Sequence, residues 1–101
     1  MQTQTLIQAT NSAVVSQVPL ETINYSSVFL SADNLGVGEE VDIYVLAGNS
    51  WKAVTDLTGT AVKLTQSVSI VELSGGPTYG VLKDATGGLC AVFWTPASRR
   101  V

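Results

Sequence analysis

The densest group of potentially reactive side chains in the sequence is acidic. Asp33, Glu39, Glu40 and Asp42 lie within ten positions of one another, and Asn34 adds an amide oxygen. Carboxylate and carbonyl oxygens from a single loop are the ligands that Ca²⁺ prefers, so a calcium ion near Asp33 and Glu40 is one hypothesis. The spacing matches no EF-hand loop, and a run of charge is more often a solvated surface. The solvated interpretation is favoured, and the residues alone leave calcium binding open.

Other reactive groups are few. The sequence contains no histidine, which removes Ser-His-Asp and Cys-His nucleophile arrangements and the commonest zinc ligand. Cys90 lies in an apolar run with no cationic residue within three positions, so we expect a buried thiol that behaves as a small hydrophobe. A glycosidase-like pair would need Glu72 or Asp84 to meet the acidic group, and nothing in the sequence joins them. We expect no enzymatic activity, no catalytic residue, no cofactor and no dedicated metal site.

Charged residues are scarce. They make up 13% of the 101 residues and leave a net charge of −3. Charged residues usually make up about 25% of a soluble domain. The low share in this sequence indicates a surface covered by partners in an assembly, or else a neutral surface rich in Ser and Thr. Five scattered cations do not provide the basic surface that nucleic acid requires. No apolar run suggests a membrane span and the first residues do not resemble a signal peptide, so synthesis in the cytoplasm is expected.

The aromatic residues and a terminal basic pair are the candidates for binding. Aromatic faces can stack on sugar rings, but aromatic residues are also enriched at subunit interfaces, and the interface interpretation is favoured. In this interpretation Trp51, just after a hairpin loop, lies at a rim, whereas Trp94 ends a core strand. The candidate interface residues are Trp51, Tyr44, Tyr79, Trp94, Arg99 and Arg100.

Short β-strands would position these side chains. The clearest pattern is a hairpin over residues 38–56, in which Val41, Ile43 and Val45 share one face and residues 47–50 form the loop. Seven to eight strands separated by Gly, Pro, Asn and Asp predict an all-β fold, an antiparallel β-sandwich or small barrel that is Ig-like or jelly-roll-like.

The predicted sandwich occupies residues 19–101. Residues 1–18 are predicted to form an extended N-terminal arm with a possible edge strand, and Pro96 is expected to end the last strand. The side chains predicted to be buried are Val28, Leu30, Val41, Ile43, Val45, Ile70, Val81, Val92 and one of the two tryptophans.

Three stretches carry a resemblance to known proteins: residues 38–56 (GEEVDIYVLAGNSWKAVTD), 59–64 (GTAVKL) and 76–93 (GPTYGVLKDATGGLCAVF). Together they resemble small β-sandwich virion proteins of tailed bacteriophages, most closely the head decoration, or cement, proteins. The resemblance covers residues 25–93. It lies in the order of a turn, an acidic Val-x-Ile-Tyr strand, a Trp after a short loop, and the later Gly-Pro-x-Tyr and Lys-Asp-x-Thr-Gly segments.

The resemblance implies a structural protein of the capsid surface. It would bind the major capsid protein and itself in many symmetric copies, as a homotrimer or another oligomer, and would stabilise the shell. The resemblance implies no catalytic residues, because decoration proteins have none. The alternative is a receptor- or glycan-binding module of a tail fibre or tail tip, or a minor head or tail completion protein. Capsid or tail location, copy number, sandwich or barrel topology and the residues that contact the partner stay open.

Overall fold

A computed structural model describes residues 3–19 and 24–99 of the chain. Within these residues the chain forms nine strands, which confirms the predicted all-β fold. They are β1 (Gln4–Thr10), β2 (Val14–Gln17), β3 (Tyr25–Ala32), β4 (Glu40–Ala47), β5 (Ser50–Ala53), β6 (Lys63–Thr65), β7 (Ile70–Ser74), β8 (Tyr79–Lys83) and β9 (Cys90–Arg99). None of the described residues belongs to a helix long and apolar enough to cross a membrane.

The strands form two antiparallel sheets, so the fold is a sandwich. The four-stranded sheet has the order β1-β9-β3-β7, and the five-stranded sheet has the order β2-β8-β4-β5 with β6 also paired to β4. β1 and β2 are edge strands, one in each sheet, and Ile7 and Val18 are buried in the core. Residues 1–18 were predicted to form an N-terminal arm with a possible edge strand; their described part supplies edge strands to both sheets, and its apolar side chains help to fill the core, whereas Met1 and Gln2 lie outside the described residues.

Period-two alternation decides which side chains reach the core. Val41 and Ile43 of β4 are buried as predicted, and Ile43 lies opposite Val81 of β8. Val45, near the end of β4, is only partly buried. Burial of each such aliphatic side chain contributes roughly 1.5–3 kcal/mol to stability. The largest fully buried side chains are Trp94, Lys83, Leu30, Ile43, Leu64, Val18, Val28, Val41, Val81, Val92 and Cys90.

Ile70 was predicted to be buried, and this prediction is wrong, since its side chain is 61% exposed. β7 pairs with β3 so that Val71 lies opposite Leu30 and Leu73 lies opposite Val28. Leu73 is buried and Val71 packs against the core, which leaves Ile70 on the outer face. A shift of one residue in phase exchanges the two faces of a strand, and β7 is apolar at positions of both phases.

The prediction that Pro96 ends the last strand is also wrong, because β9 continues to Arg99. Pro96 lies opposite Val28 of β3, whereas the pairing of β1 with β9 reaches only Trp94. Among the described residues β9 therefore has a single neighbouring strand at Pro96. Proline is tolerated at such an edge-like position, because the N–H that it lacks has no ladder partner to lose there.

Candidate functional site

The acidic residues of the 33–42 segment are used in separate places. The Asp33 carboxylate accepts a hydrogen bond from the Ala91 backbone N–H (Oδ1···N 2.9 Å), and the Asn34 amide donates to the Leu89 carbonyl (2.8 Å). Asn34 has a positive φ of 59°, which an Asn tolerates better than most residues. These contacts fasten the turn after β3 to the start of β9.

Glu39 connects two loops. One carboxylate oxygen accepts from the Gly36 N–H and the other from the Gly87 N–H, each at 2.7 Å. The two backbone hydrogen bonds hold the pKa of the Glu39 carboxyl below its ordinary value, since they favour the charged form. Glu39 therefore acts as a brace between the loop before β4 and the loop before β9.

Glu40 and Asp42 face a cation on the neighbouring strand. The Lys63 ammonium lies 3.1 Å from Glu40 Oε1 and 3.5 Å from Asp42 Oδ1. The hydrogen bond with Glu40 and the charge of Asp42 raise the pKa of Lys63. The acids suggested for calcium thus have other partners, and within the described residues no three metal-ligating side chains of the His, Cys, Asp or Glu type come together.

Lys83 is a polar feature that the sequence interpretation missed. Its side chain is fully buried, and its ammonium donates to the Ser12 carbonyl (2.9 Å), the Asp84 carbonyl (3.1 Å) and the Thr86 hydroxyl (3.2 Å). Three acceptors satisfy the three donors of the ammonium group, which makes burial of the charge tolerable. Lys83 alternates in phase with Val81 on β8, and this phase is the signal that could have identified it.

Cys90 is a buried free thiol, as predicted. Burial raises the pKa of this thiol above its ordinary value, and the nearby positive charge of Lys83 only partly opposes the effect. A raised pKa keeps the sulfur protonated and weakly nucleophilic at neutral pH. The arrangement favours a packing role for Cys90.

Two of the predicted interface residues lie inside the protein. Trp94 is 2% exposed and Tyr79 is 5% exposed, and the Tyr79 hydroxyl donates to the Ser74 carbonyl at 2.7 Å. Burial also raises the pKa of Tyr79. Both side chains point inward because they share a strand phase with core residues, so an interface has to be built without them. Arg99 lies opposite Tyr25 at the end of β9; its side chain and all of Arg100 lie outside the described residues.

The other two predicted residues, Trp51 and Tyr44, meet on the outer face of the five-stranded sheet. Tyr44 of β4 lies between Ala53 of β5 and Gly80 of β8, and Trp51 is paired with Leu46, two residues further along β4 and on the same face. Both aromatic side chains line an open groove of about 440 Å³. The groove is lined by Val15, Ser16, Gln17, Tyr44, Trp51, Gly80, Val81 and Leu82.

Gly80 shapes this groove. A Cβ atom at position 80 would lie 3.2 Å from Cζ3 of the Trp51 indole, closer than most real contacts of that kind. The missing side chain therefore lets the indole lie against the backbone of β8. Gly in a central strand often marks such a close approach.

The chemistry of the groove is apolar. Val15 is 75% exposed and Trp51 is 46% exposed, and Ser16 and Gln17 are the polar groups at the β2 side. The lining contains no carboxylate, ammonium, imidazole or thiol group. The groove, hereafter called the Trp51 groove, can desolvate an apolar side chain or stack on a flat ligand. Of its members the sequence identified only Trp51 and Tyr44, because the β2–β8 and β8–β4 pairings that bring in the others are not local.

Comparison of the chain with protein-family models, with curated protein sequences and with solved structures finds no match.

Proposed function

We propose that this chain is a structural virion protein that binds in many symmetric copies to a bacteriophage capsid shell and stabilises it. The Trp51 groove carries the proposal: a sandwich that already buries its own core still presents a contiguous apolar surface with two aromatic residues. Exposed apolar patches on otherwise polar surfaces mark contact sites. The low share of charged residues and the resemblance of residues 25–93 to decoration proteins agree with this assignment.

The mechanism requires no chemical reaction. Each copy would bury apolar surface against the major capsid protein and against its neighbours, at about 25 cal/mol per Å² of apolar area removed from water. A typical stable interface buries about 800 Å² on each partner. Symmetry repeats a modest contact many times, so the shell as a whole gains a large total stabilisation.

The test uses empty, expanded shells assembled without this protein. We expect the purified chain to co-sediment with the shells, and Trp51→Ala to weaken this binding by roughly tenfold or more, since aromatic anchors dominate interfaces. The free energy of unfolding should change by only about 1 kcal/mol, because the side chain is half exposed. Val68→Ala is the matched control: Val68 is exposed to a similar degree, 48%, but does not line the groove.

A glycan-binding module of a tail fibre is the second candidate, favoured by one observation: the open groove presents Trp51 and Tyr44 beside the polar side chain of Gln17 and the backbone of Ser16. Aromatic faces with adjacent hydrogen-bonding groups suit sugar rings. A chain that ignores the shells but binds a glycan array, with binding lost in Trp51→Ala, would support this candidate and contradict the capsid proposal. Equal loss of folding and of shell binding in Trp51→Ala would count against an interface role for Trp51.

A further inference from the structure

Leu57 is a fully exposed apolar side chain at the tip of the loop between β5 and β6. The base of this loop is closed by a bridge between Thr55 and Ala61 and by a hydrogen bond from the Val62 N–H to the Val54 carbonyl (2.8 Å). The loop therefore projects as a short hairpin from the β5/β6 side of the five-stranded sheet. Residues 54–62 are hereafter called the Leu57 loop.

The Leu57 loop is held in shape from within. The Asp56 carboxylate accepts hydrogen bonds from the Thr58 N–H (2.9 Å), the Thr58 hydroxyl (2.6 Å) and the Thr60 N–H (3.1 Å). Backbone bonds from Asp56 N–H to the Thr60 carbonyl and from Gly59 N–H to the Asp56 carbonyl complete the turn. Since the loop is braced in this way, Leu57 is kept in solvent rather than folded back onto the sheet.

The Trp51 groove has the size and chemistry to receive such a side chain. An enclosed cavity of about 150 Å³ holds a benzene molecule, so a groove of about 440 Å³ has room for a leucine and its neighbours. The groove lining contains no charged side chain, and the one carboxylate of the loop, Asp56, keeps its charge but already accepts three hydrogen bonds within the loop, so it needs no donor from the groove. The amide side chain of Gln17 at the rim can meet the polar backbone of the loop tip.

The groove and the loop do not overlap. The groove extends from Trp51 of β5 across β4 and β8 to Val15 of the edge strand β2, whereas the loop follows β5 and contributes no residue to the groove lining. Neighbouring strands are about 4.8 Å apart, so β2 is three strand spacings from β5. Leu57 is fully exposed and so does not fill the groove of its own chain.

We propose that the Leu57 loop of one copy inserts into the Trp51 groove of a second copy. The contact is heterologous, because it joins two different surfaces, and repetition of it closes a ring when the rotation between copies allows. The contact rests on the proposed function in one respect, since both require copies of the chain to associate. One side chain and one groove supply only part of the area of a stable interface, so the association is weak in solution and strengthened where copies are arrayed on a shell.

The first test is the concentration dependence of mass, measured by sedimentation equilibrium of the full chain. We expect reversible association, with a dissociation constant raised roughly tenfold or more by Leu57→Asp, which places a charge in an apolar groove. Val37→Asp is the matched control: Val37 is 89% exposed on another braced loop, and its replacement should leave the constant unchanged. A chain that stays monomeric at every concentration, or a Leu57→Asp variant that associates as the unmodified chain does, would overturn the proposal.

The second test asks whether these two surfaces touch. Leu57→Cys and Val15→Cys proteins, mixed under mild oxidation by glutathione disulfide, should give a covalent dimer that contains one chain of each; Cys90 is buried and stays unreactive. A mixture of Val37→Cys with Val15→Cys should give markedly less. Equal yields from both mixtures would contradict the insertion.

Shell binding separates the two proposals. If the chain binds shells but Leu57→Asp does not change the dissociation constant of self-association, the loop–groove contact is contradicted and the capsid proposal is not. If the chain does not bind shells but self-associates in a way that Leu57→Asp weakens, the capsid proposal is contradicted and the loop–groove contact is not.

Discussion

The two outer faces of the sandwich follow the same alternation but differ in shape and chemistry. The face of the five-stranded sheet is indented where Trp51 lies against Gly80, and the resulting groove is apolar. The face of the four-stranded sheet carries Phe29 and Phe93, both half-buried, opposite the hydroxyl side chains of Thr95 and Ser31. A smaller depression on this side, about 270 Å³, is lined by Ser26, Ser27, Glu72, Leu73 and Ser74.

The difference shows how little is needed to turn a sheet face into a binding surface. One outward position without a side chain, Gly80, lets the indole of Trp51 settle against the sheet and leaves apolar walls on both sides. An apolar group displaces water from such a groove at little cost, whereas the opposite depression is lined by serines and Glu72, whose desolvation by an apolar group is unfavourable. We therefore assign binding to the five-stranded face. Gly within a strand costs about 0.5–1 kcal/mol of stability, a cost that the groove makes understandable.

The largest expected effect concerns which side of each sheet faces the core. Ile43→Asp buries an unpaired charge beneath the five-stranded face, and a loss of about 4 kcal/mol or more would consume much of a total stability of about 5–15 kcal/mol. We expect an unfolded protein by far-UV circular dichroism. Ile70→Asp, on the outer side of the four-stranded sheet, should change the free energy of unfolding by only about 0.5 kcal/mol. A folded Ile43→Asp variant would show that the inward face of β4 is misassigned.

A smaller effect is expected from filling the indentation. Gly80→Val places atoms within the space that the Trp51 indole occupies, so the ring must move away from β8, at a cost of about 1–3 kcal/mol in urea denaturation. The fluorescence emission of Trp51 should shift to the red as the ring becomes more exposed, while buried Trp94 stays constant. Ser31→Val, at an outward position of the other face, is the control and should leave the emission unchanged. An unaltered spectrum in Gly80→Val would mean that the indole does not depend on Gly80.

The smallest effect concerns the loops at one end of the sandwich, where Glu39 braces Gly36 and Gly87. The pKa of Glu39 is lowered in the folded protein, so its contribution to stability is present above the ordinary value of 4.5 and is lost as pH falls through the lowered pKa. Glu39→Gln should therefore melt at a lower temperature than the unmodified chain at pH 7, and the difference should shrink below pH 4.5. Glu72→Gln, on exposed β7, should not show this convergence. Parallel melting curves of Glu39→Gln and the unmodified chain at all pH values would contradict the brace.

Features that depend on local sequence patterns could be predicted from the sequence, whereas features that depend on pairing between distant strands could not. The hairpin over residues 38–56, which the structure shows as β4 and β5, was predicted from its alternation and its loop residues, because both signals are local. The burial of one tryptophan was predicted and is confirmed by Trp94, but the exposure of Ile70 and the burial of Tyr79 were not predicted, because apolar residues stand at positions of both phases in β7 and β8 and the phase is set by the partner strand. Buried Lys83 likewise depends on acceptors from Ser12 and Thr86, which only the folded chain brings to it.

The order of residues along the chain determined where strands and turns fall, the alternation that makes Val41 and Ile43 core residues, and the scarcity of charge, since these depend on neighbours a few positions apart. The tertiary structure alone decided that Val15, Tyr44, Trp51 and Gly80 share one groove and that Leu57 stands apart from it. The physical reason is that burial of the whole core selects one strand order and register among the possible pairings. A surface assembled from four strands exists only once those pairings have formed.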